Sequence, residues 1–390
     1  MTAVKEATRT LMDGARDRLV KLSHRIHANP ELAFEEERAA AWVAGALDTG
    51  GMSVETGICD LPTAFVATAG SGPLHIAICA EYDALPDIGH ACGHNVIAAA
   101  AVGAGLALAQ VADDLGITVK VFGTPAEEGG GGKILMLQRG AFDGIHAAMM
   151  VHPYPVELPV MTCLAVSHVD VHYRGKAAHA SSYPDRGVNA ADALTVAQTA
   201  IGLLRQHIRP SDRIHGIVTR GGDAPNIVPA HTVGKWYMRA RTTGELSELE
   251  PRVERCFEAG AVATGCSFEV IPQSPVYSEM RADKELSALY RANAEALGRV
   301  FPKFSKEERE RIAASTDMAN VSLAIPTIHP MLGIDSLPAV NHQPEFAAHC
   351  VRPVADQALV DGALGMAWTV IDASTKAAVR DRLLARRRSN

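Results

Sequence analysis

Cys92 and His94 are separated by one residue in the run His90-Ala-Cys92-Gly-His94-Asn95. A thiolate and an imidazole at that spacing, just past the end of an apolar strand, can reach one metal ion. The position fits, because ligands of α/β sheets collect at the carboxyl ends of strands. A second cluster, Thr124-Pro-Ala-Glu127-Glu128-Gly-Gly-Gly-Gly132, sets two carboxylates before four glycines. Adjacent side chains diverge, so one carboxylate can bind metal while its neighbour reaches a metal-bound water. The glycines let the backbone turn sharply and leave room for a substrate. Taken alone, this segment also reads as a solvated surface turn. A phosphate-loop reading of the glycines and Lys133 fails on spacing. The first Gly of that pattern falls on Glu127, and Ile134 replaces the Ser/Thr. His152 follows another apolar run, and Asn341-His342-Gln-Pro-Glu-Phe346 comes far along the chain. One thiolate, carboxylates and three imidazoles suit zinc, manganese, cobalt or nickel rather than calcium or magnesium.

These residues need elements to hold them. Leu11, Ala15, Leu19, Leu22 and Ile26 fall at helical spacing, and Pro30 interrupts that pattern. A second helix is expected over 36–47, before Gly50-Gly51. The apolar runs 74–80, 117–122 and 147–151 read as buried strands, and the Ala-rich stretch 96–112 as a buried helix. Strands alternating with helices predict an α/β domain, its sheet mixed but largely parallel and flanked by helices. Near residue 166 the pattern changes. Val169, Val171 and Tyr173 alternate with polar residues, as in a half-exposed strand. A helix bearing Leu194, Ala197, Ile201 and Leu204 follows, then a strand at 233–241, a helix at 245–263 and a strand at 267–271. This β-α-β-β-α-β-like, ferredoxin-like α+β block predicts an inserted domain over 166–275. The catalytic domain is then 1–165 with 276–390, with helices resuming at 284 and over 354–371.

Bulk properties narrow the function. The 390 residues exceed one typical core of ~100–200 residues, so two domains are expected. A hydrophobic share of 47% and a charged share of 21% suit a soluble globular chain. The net charge of -7 argues against a nucleic-acid partner. The one basic run, Arg386-Arg387-Arg388, reads as a solvated tail. No signal peptide and no membrane span is read. Seven scattered cysteines fit a reducing, cytoplasmic compartment.

Together the motifs resemble the zinc-type aminoacylase/carboxypeptidase family of co-catalytic metallohydrolases, in its amidohydrolase branch. The stretches Ala80-Glu-Tyr-Asp83-Ala-Leu-Pro86, Gly89-His-Ala-Cys-Gly-His-Asn95 and Ser315-Thr-Asp-Met-Ala-Asn-Val-Ser322 are most similar to p-aminobenzoyl-glutamate hydrolase and β-alanyl-dipeptidase-like members. His27-Ala-Asn-Pro-Glu-Leu32 resembles the branch's N-terminal motif. The resemblance runs colinearly over about residues 24–348. It implies a catalytic domain interrupted by a smaller lid domain that mediates homodimerisation. Cys92 resembles the ligand bridging two metals. His94 and Glu128 resemble ligands of one ion, and His152 and His342 those of the other or of shared positions. Glu127 resembles the general base, and Asp83 the aspartate that orients a ligand. Glu81 stands where relatives outside the branch carry a histidine ligand. In the lid, His179 of Gly175-Lys-Ala-Ala-His179-Ala-Ser181 resembles the histidine that reaches a partner's site and stabilises the oxyanion. Asn226, in Gly222-Asp-Ala-Pro-Asn226-Ile-Val-Pro229, and Arg239 match substrate-contacting positions, Arg239 for a carboxylate. Asn95 replaces the branch's aspartate, and Ala319 a commoner glycine.

The expected reaction is hydrolysis of an amide in an N-acyl amino acid, a p-aminobenzoyl-glutamate-like conjugate or a small dipeptide. One or two divalent transition-metal ions activate water, and Glu127 moves the proton. Deamination of an aromatic amine or ester cleavage is the alternative, and non-catalytic metal binding a third.

Overall fold

The computed structural model describes residues 2–305, 308 and 313–385, so the Arg386-Arg387-Arg388 run lies outside the described residues. The chain divides into two compact units, Met1–Thr162 with Met280–Asn390, and Cys163–Glu279.

The first unit is built on a six-stranded sheet. Helix α1 (Ala3–His27) starts at Thr2, whose side chain accepts the Lys5 N–H. It buries Met12, Ala15, Leu19, Ser23 and Ile26. The apolar stripe is therefore rotated from the expected one, with Leu11 and Leu22 on its flanks. Helix α2 spans Glu37–Thr49. The strands β1 (Ser53–Thr56), β2 (Phe65–Ala69), β3 (Leu74–Ala80), β4 (Ile117–Gly123) and β5 (Ala147–Met149) join Thr327–Ile328 in the order β1-β2-β4-β3-β5 and then Thr327–Ile328. β3 runs parallel to β4 and β5, while β1 and β2 are antiparallel at one edge. That edge pair has no run of apolar residues long enough to announce it in the sequence.

The buried runs of β3 and β4 fit strands covered on both faces. Helix α3 (His94–Ala109) is buried on nearly every side. It contacts α1, β3 and the long C-terminal helix Pro353–Thr375. Small alanines suit it, because a helix enclosed all round must let its neighbours approach closely. The expected strand 147–151 stops at Met149. The chain then turns, and His152–Tyr154 pairs in parallel with Met331–Gly333 instead.

The second unit is an antiparallel four-stranded sheet in the order Ser267–Pro272, Ala165–Arg174, His231–Ala240, Arg213–Arg220. Helices Ala190–Leu204 and Thr243–Thr264 pack on it. Along Ala165–Arg174 the odd-numbered residues are buried and most even-numbered ones half-buried, the two-residue period of a sheet covered on one face. The edge strand Arg213–Arg220 had no sequence signal. Seven of its eight positions are exposed, so no apolar alternation marks it.

Candidate metal centre and active site

The parallel strands end level with one another, with Ala80 opposite Gly123 and Ile78 opposite Met149. The residues that follow are therefore delivered to one edge of the sheet. After β3 come Glu81 and Asp83, after β4 Glu127 and Glu128, and after β5 His152.

Cys92 and His94 arrive at the same edge from the turn entering α3. Gly93 between them has φ 85°, and a Cβ there would stand 2.4 Å from Pro153 Cγ. Only glycine lets the Cys92–His94 turn approach the chain beyond His152 so closely. Asn95 is buried and donates to Ser23 Oγ at 2.8 Å and to the Cys350 carbonyl at 3.1 Å. It ties the start of α3 to α1 instead of facing the site. His342, with φ 68°, is held by its own N–H to the Ala91 carbonyl at 2.8 Å. Its neighbour Asn341 donates to the Pro153 carbonyl at 3.2 Å.

All five candidate ligands meet here. Donor atoms of Cys92, His94 and His152 lie within 4.8 Å of one another, and so do those of Cys92, Glu128 and His342. Cys92 belongs to both groups. Its Sγ is 3.4 Å from His152 Nε2, and Glu128 Oε1 is 3.4 Å from His342 Nε2 and 3.8 Å from His94 Nε2. Asp83 accepts from His94 Nδ1 at 2.8 Å and from the Glu128 backbone N–H at 2.9 Å. That bond leaves His94 Nε2 to face the site, the arrangement by which a carboxylate orients a ligating imidazole. His152 Nδ1 likewise donates to the Pro153 carbonyl at 2.8 Å. Glu127 Oε2 stands 3.9 Å from His94 Nε2.

The Glu127–Glu128 turn is held by a device that residue spacing does not reveal. Ala126 adopts φ 59°, unfavourable for a residue with a Cβ. Its N–H is gripped by buried Glu36 Oε1 at 2.8 Å, and its carbonyl accepts from Gly130 and Gly131. Burial, then the Asp83 charge, pushes the Glu36 carboxyl up to about 7. At Gly132 a Cβ would lie 1.9 Å from the Pro125 carbonyl oxygen. Gly132→Ala should therefore cost about 1–3 kcal/mol of stability, read as a lowered thermal midpoint.

Electrostatics fit a cation. Burial, then Glu128, drives the Cys92 thiol well above its ordinary range. Burial, then Glu81 and Glu128, also raises Glu127 strongly. Burial opposes ionisation of Glu128, but the His342 hydrogen bond and the His94 charge bring it down to about 2. Burial and His94 lower His152 to about 4, keeping it neutral. His94 Nε2 is buried with no hydrogen-bond partner among the described residues. A thiol, a carboxylate and imidazoles gathered around a buried, unsatisfied imidazole nitrogen form a donor set that a divalent transition metal would complete.

In the second unit, His179 and Asn226 are neighbours. Ala180 N–H donates to the Asn226 carbonyl at 3.0 Å, and His179 bridges to Ile227. His179 is exposed, and its Nδ1 accepts the N–H groups of Ser181 and Ser182 at 3.3 and 3.2 Å. That fixes the proton on Nε2, leaving Nε2–H as an outward donor. Arg239 lies near the other end of strand His231–Ala240, its Nε 3.4 Å from His215 Nε2. Sequence reasoning gave no role to Glu36, Asp317 and His329, and considered Lys133 only in the rejected phosphate-loop reading. His329 is buried with its ring 5.5 Å from that of His152. Burial of an ionisable side chain was the missing signal, and spacing does not carry it.

Such an edge has the donor set of a metal-binding site. Residues 77–357 match Peptidase family M20/M25/M40, and the chain belongs to that family. The mouse Xaa-Arg dipeptidase is 38% identical over 94% of this chain and 88% of its own length. A component of the Escherichia coli p-aminobenzoyl-glutamate hydrolase is 33% identical over 66% of this chain and 58% of that protein. Among solved structures, the Klebsiella pneumoniae aminobenzoyl-glutamate utilization protein superposes with TM-score 0.70 at 19% identity. It covers 91% of this chain and 97% of that one, a likeness of fold. Among the described residues no helix is long and apolar enough to cross a membrane.

Proposed function

We propose that this chain hydrolyses the amide bond of a small N-acyl amino acid, conjugate or dipeptide, with Glu127 as general base. The observation that carries this reading is Cys92, shared by two ligand groups, beside a Glu127 that reaches the same His94. Cys92, His94, Glu128, His152 and His342 would hold one or two zinc, manganese, cobalt or nickel ions. A bound ion would supply Lewis acidity, lowering the pKa of water towards ~7 and polarising the scissile carbonyl.

The chain's own residues do the rest. Asp83 orients His94 and pins the Glu128 backbone. Glu127 Oε2 takes a proton from the attacking water and passes it to the departing nitrogen. His179 Nε2–H would donate to the oxyanion, Asn226 would contact the substrate, and Arg239 would pair with its carboxylate. Similarity to the Xaa-Arg dipeptidase favours dipeptides ending in arginine as first substrates.

We also assign the second unit to homodimer formation. Its exposed edge strand Arg213–Arg220 carries Ile217, 64% exposed, and Val218. An open apolar edge of this kind favours pairing with a second copy. The seven free cysteines accord with a cytoplasmic location.

The test is amine release from Xaa-Arg dipeptides, N-acyl amino acids, p-aminobenzoyl-glutamate and β-alanyl dipeptides, with aromatic amines beside them. Metal-loaded protein is compared with Glu127→Gln. Amide turnover that the variant lacks supports the reading. Ammonia released only from aromatic amines would replace it with a deaminase. Stripping with a chelator should lower the thermal midpoint, and adding metal back should restore it. Metal at a hundredfold excess over Kd stabilises by about 2.7 kcal/mol. A midpoint unmoved by either step would count against the metal centre.

A further inference from the structure

The reaction above leaves one buried charge cluster unused. Glu81, Lys133 and Asp317 are all fully buried. Lys133 Nζ lies 2.5 Å from Glu81 Oε1 and 2.6 Å from Asp317 Oδ1. Asp317 Oδ2 also accepts the Lys133 backbone N–H at 2.8 Å. The lysine is thus held at both ends, and its ammonium has little freedom to swing away.

The second Glu81 oxygen faces elsewhere. Oε2 is 3.5 Å from His94 Nε2, and donor atoms of Glu81, His94 and Glu127 lie within 4.8 Å of one another. Glu81 is therefore placed to join any cation that His94 holds. A carboxylate there would add negative charge and occupy a position that a catalytic centre keeps open for water and substrate. Its own counter-charge opposes this. A buried carboxylate paired with an ammonium is compensated; deprived of it, the carboxylate must find the nearest cation or bear a large desolvation cost.

We propose that Lys133, anchored by Asp317, is a positioning residue that keeps Glu81 out of the metal's coordination shell. The inference rests on the metal-centre reading. It explains why a lysine sits in the apolar helix Gly132–Gln138, directly after the glycines of the Glu127–Glu128 turn.

The test uses full-length protein reconstituted with cobalt(II), read by visible absorption and by competition with a chelator. Wild type should show the sulfur-to-cobalt charge-transfer band of Cys92. E81Q should leave the spectrum unchanged, because Glu81 is not a ligand. K133M should weaken the visible ligand-field bands, as an added oxygen donor raises the coordination number, and should hold cobalt more tightly, by about tenfold, through the extra anionic ligand. K133R should behave as wild type. The double variant E81Q/K133M should return to the wild-type spectrum, because the carboxylate that would reach the cobalt is gone, although buried Asp317 still lacks its partner ammonium. An altered E81Q spectrum, or a folded K133M identical to wild type in spectrum and retention, overturns the proposal. If K133M does not fold, K133M/D317N, which removes the ammonium together with its second buried carboxylate and keeps Glu81, takes its place and is read in the same way. A wild type without the charge-transfer band would overturn the metal centre itself, an outcome distinct from a silent K133M.

Discussion

Glu127→Gln should lower kcat by about 10²–10⁴-fold, the range for loss of a positioned general base. The amide is nearly the same size and shape, so the turn built on Ala126 and the glycines should persist. Cys92, His94, Glu128, His152 and His342 are untouched, and metal content should equal that of wild type. The measurement is kcat on the best amide substrate beside metal content by elemental analysis. Loss of turnover with metal retained is the expected result. Turnover near wild type would remove Glu127 from the base role, and loss of metal would move it among the ligands. The change also neutralises one of several crowded carboxylates, so the variant should be at least as stable as the parent.

His179→Ala should lower kcat by about 10²–10³-fold, the usual loss for one oxyanion donor. His179 is exposed, so the fold should not suffer. The loss should fall on kcat more than on KM, because the oxyanion exists only after attack. Because the resemblance places this histidine in a partner's site, a mixing experiment is informative. Heterodimers of His179→Ala with Glu127→Gln would contain one site with both groups intact. Recovery of activity on co-refolding two inactive variants would establish action in trans. No recovery, with heterodimers shown to form, would place His179 in its own subunit's site or outside catalysis.

The sequence made the edge of the first unit readable because its chemistry sits at strand ends. The runs 74–80 and 117–122 are continuous and apolar, and β3 and β4 cover them with one residue added. Glu127, Glu128 and His152 could be nominated because they lie shortly past such runs, and Cys92 and His94 because they lead into the Ala-rich helix. His342 could be nominated only through its motif. Its place depends on the hydrogen bond to Ala91, formed across a long separation in the chain. Lys133 shows the limit more sharply. In the sequence it is a lysine after glycines, and nothing there says that it is buried between two carboxylates. Glu36 is hidden for the same reason, since its partner Ala126 is fixed by tertiary contact. The strand Arg213–Arg220 was missed because an exposed edge has no buried face to impose a pattern.

The spread of the candidate ligands along the chain bears on how the protein comes to be loaded in a cell. The donors stand at positions 92, 94, 128, 152 and 342, and the last of them docks only after a whole inserted unit has been made. A growing chain therefore cannot bring all five candidate donors together before residue 342 has been made. An ion held by these residues would therefore meet donors gathered by the folded sheet, where geometry weighs on selection beside intrinsic affinity. Which ion such a centre held would then depend on what its surroundings offered once the chain had folded.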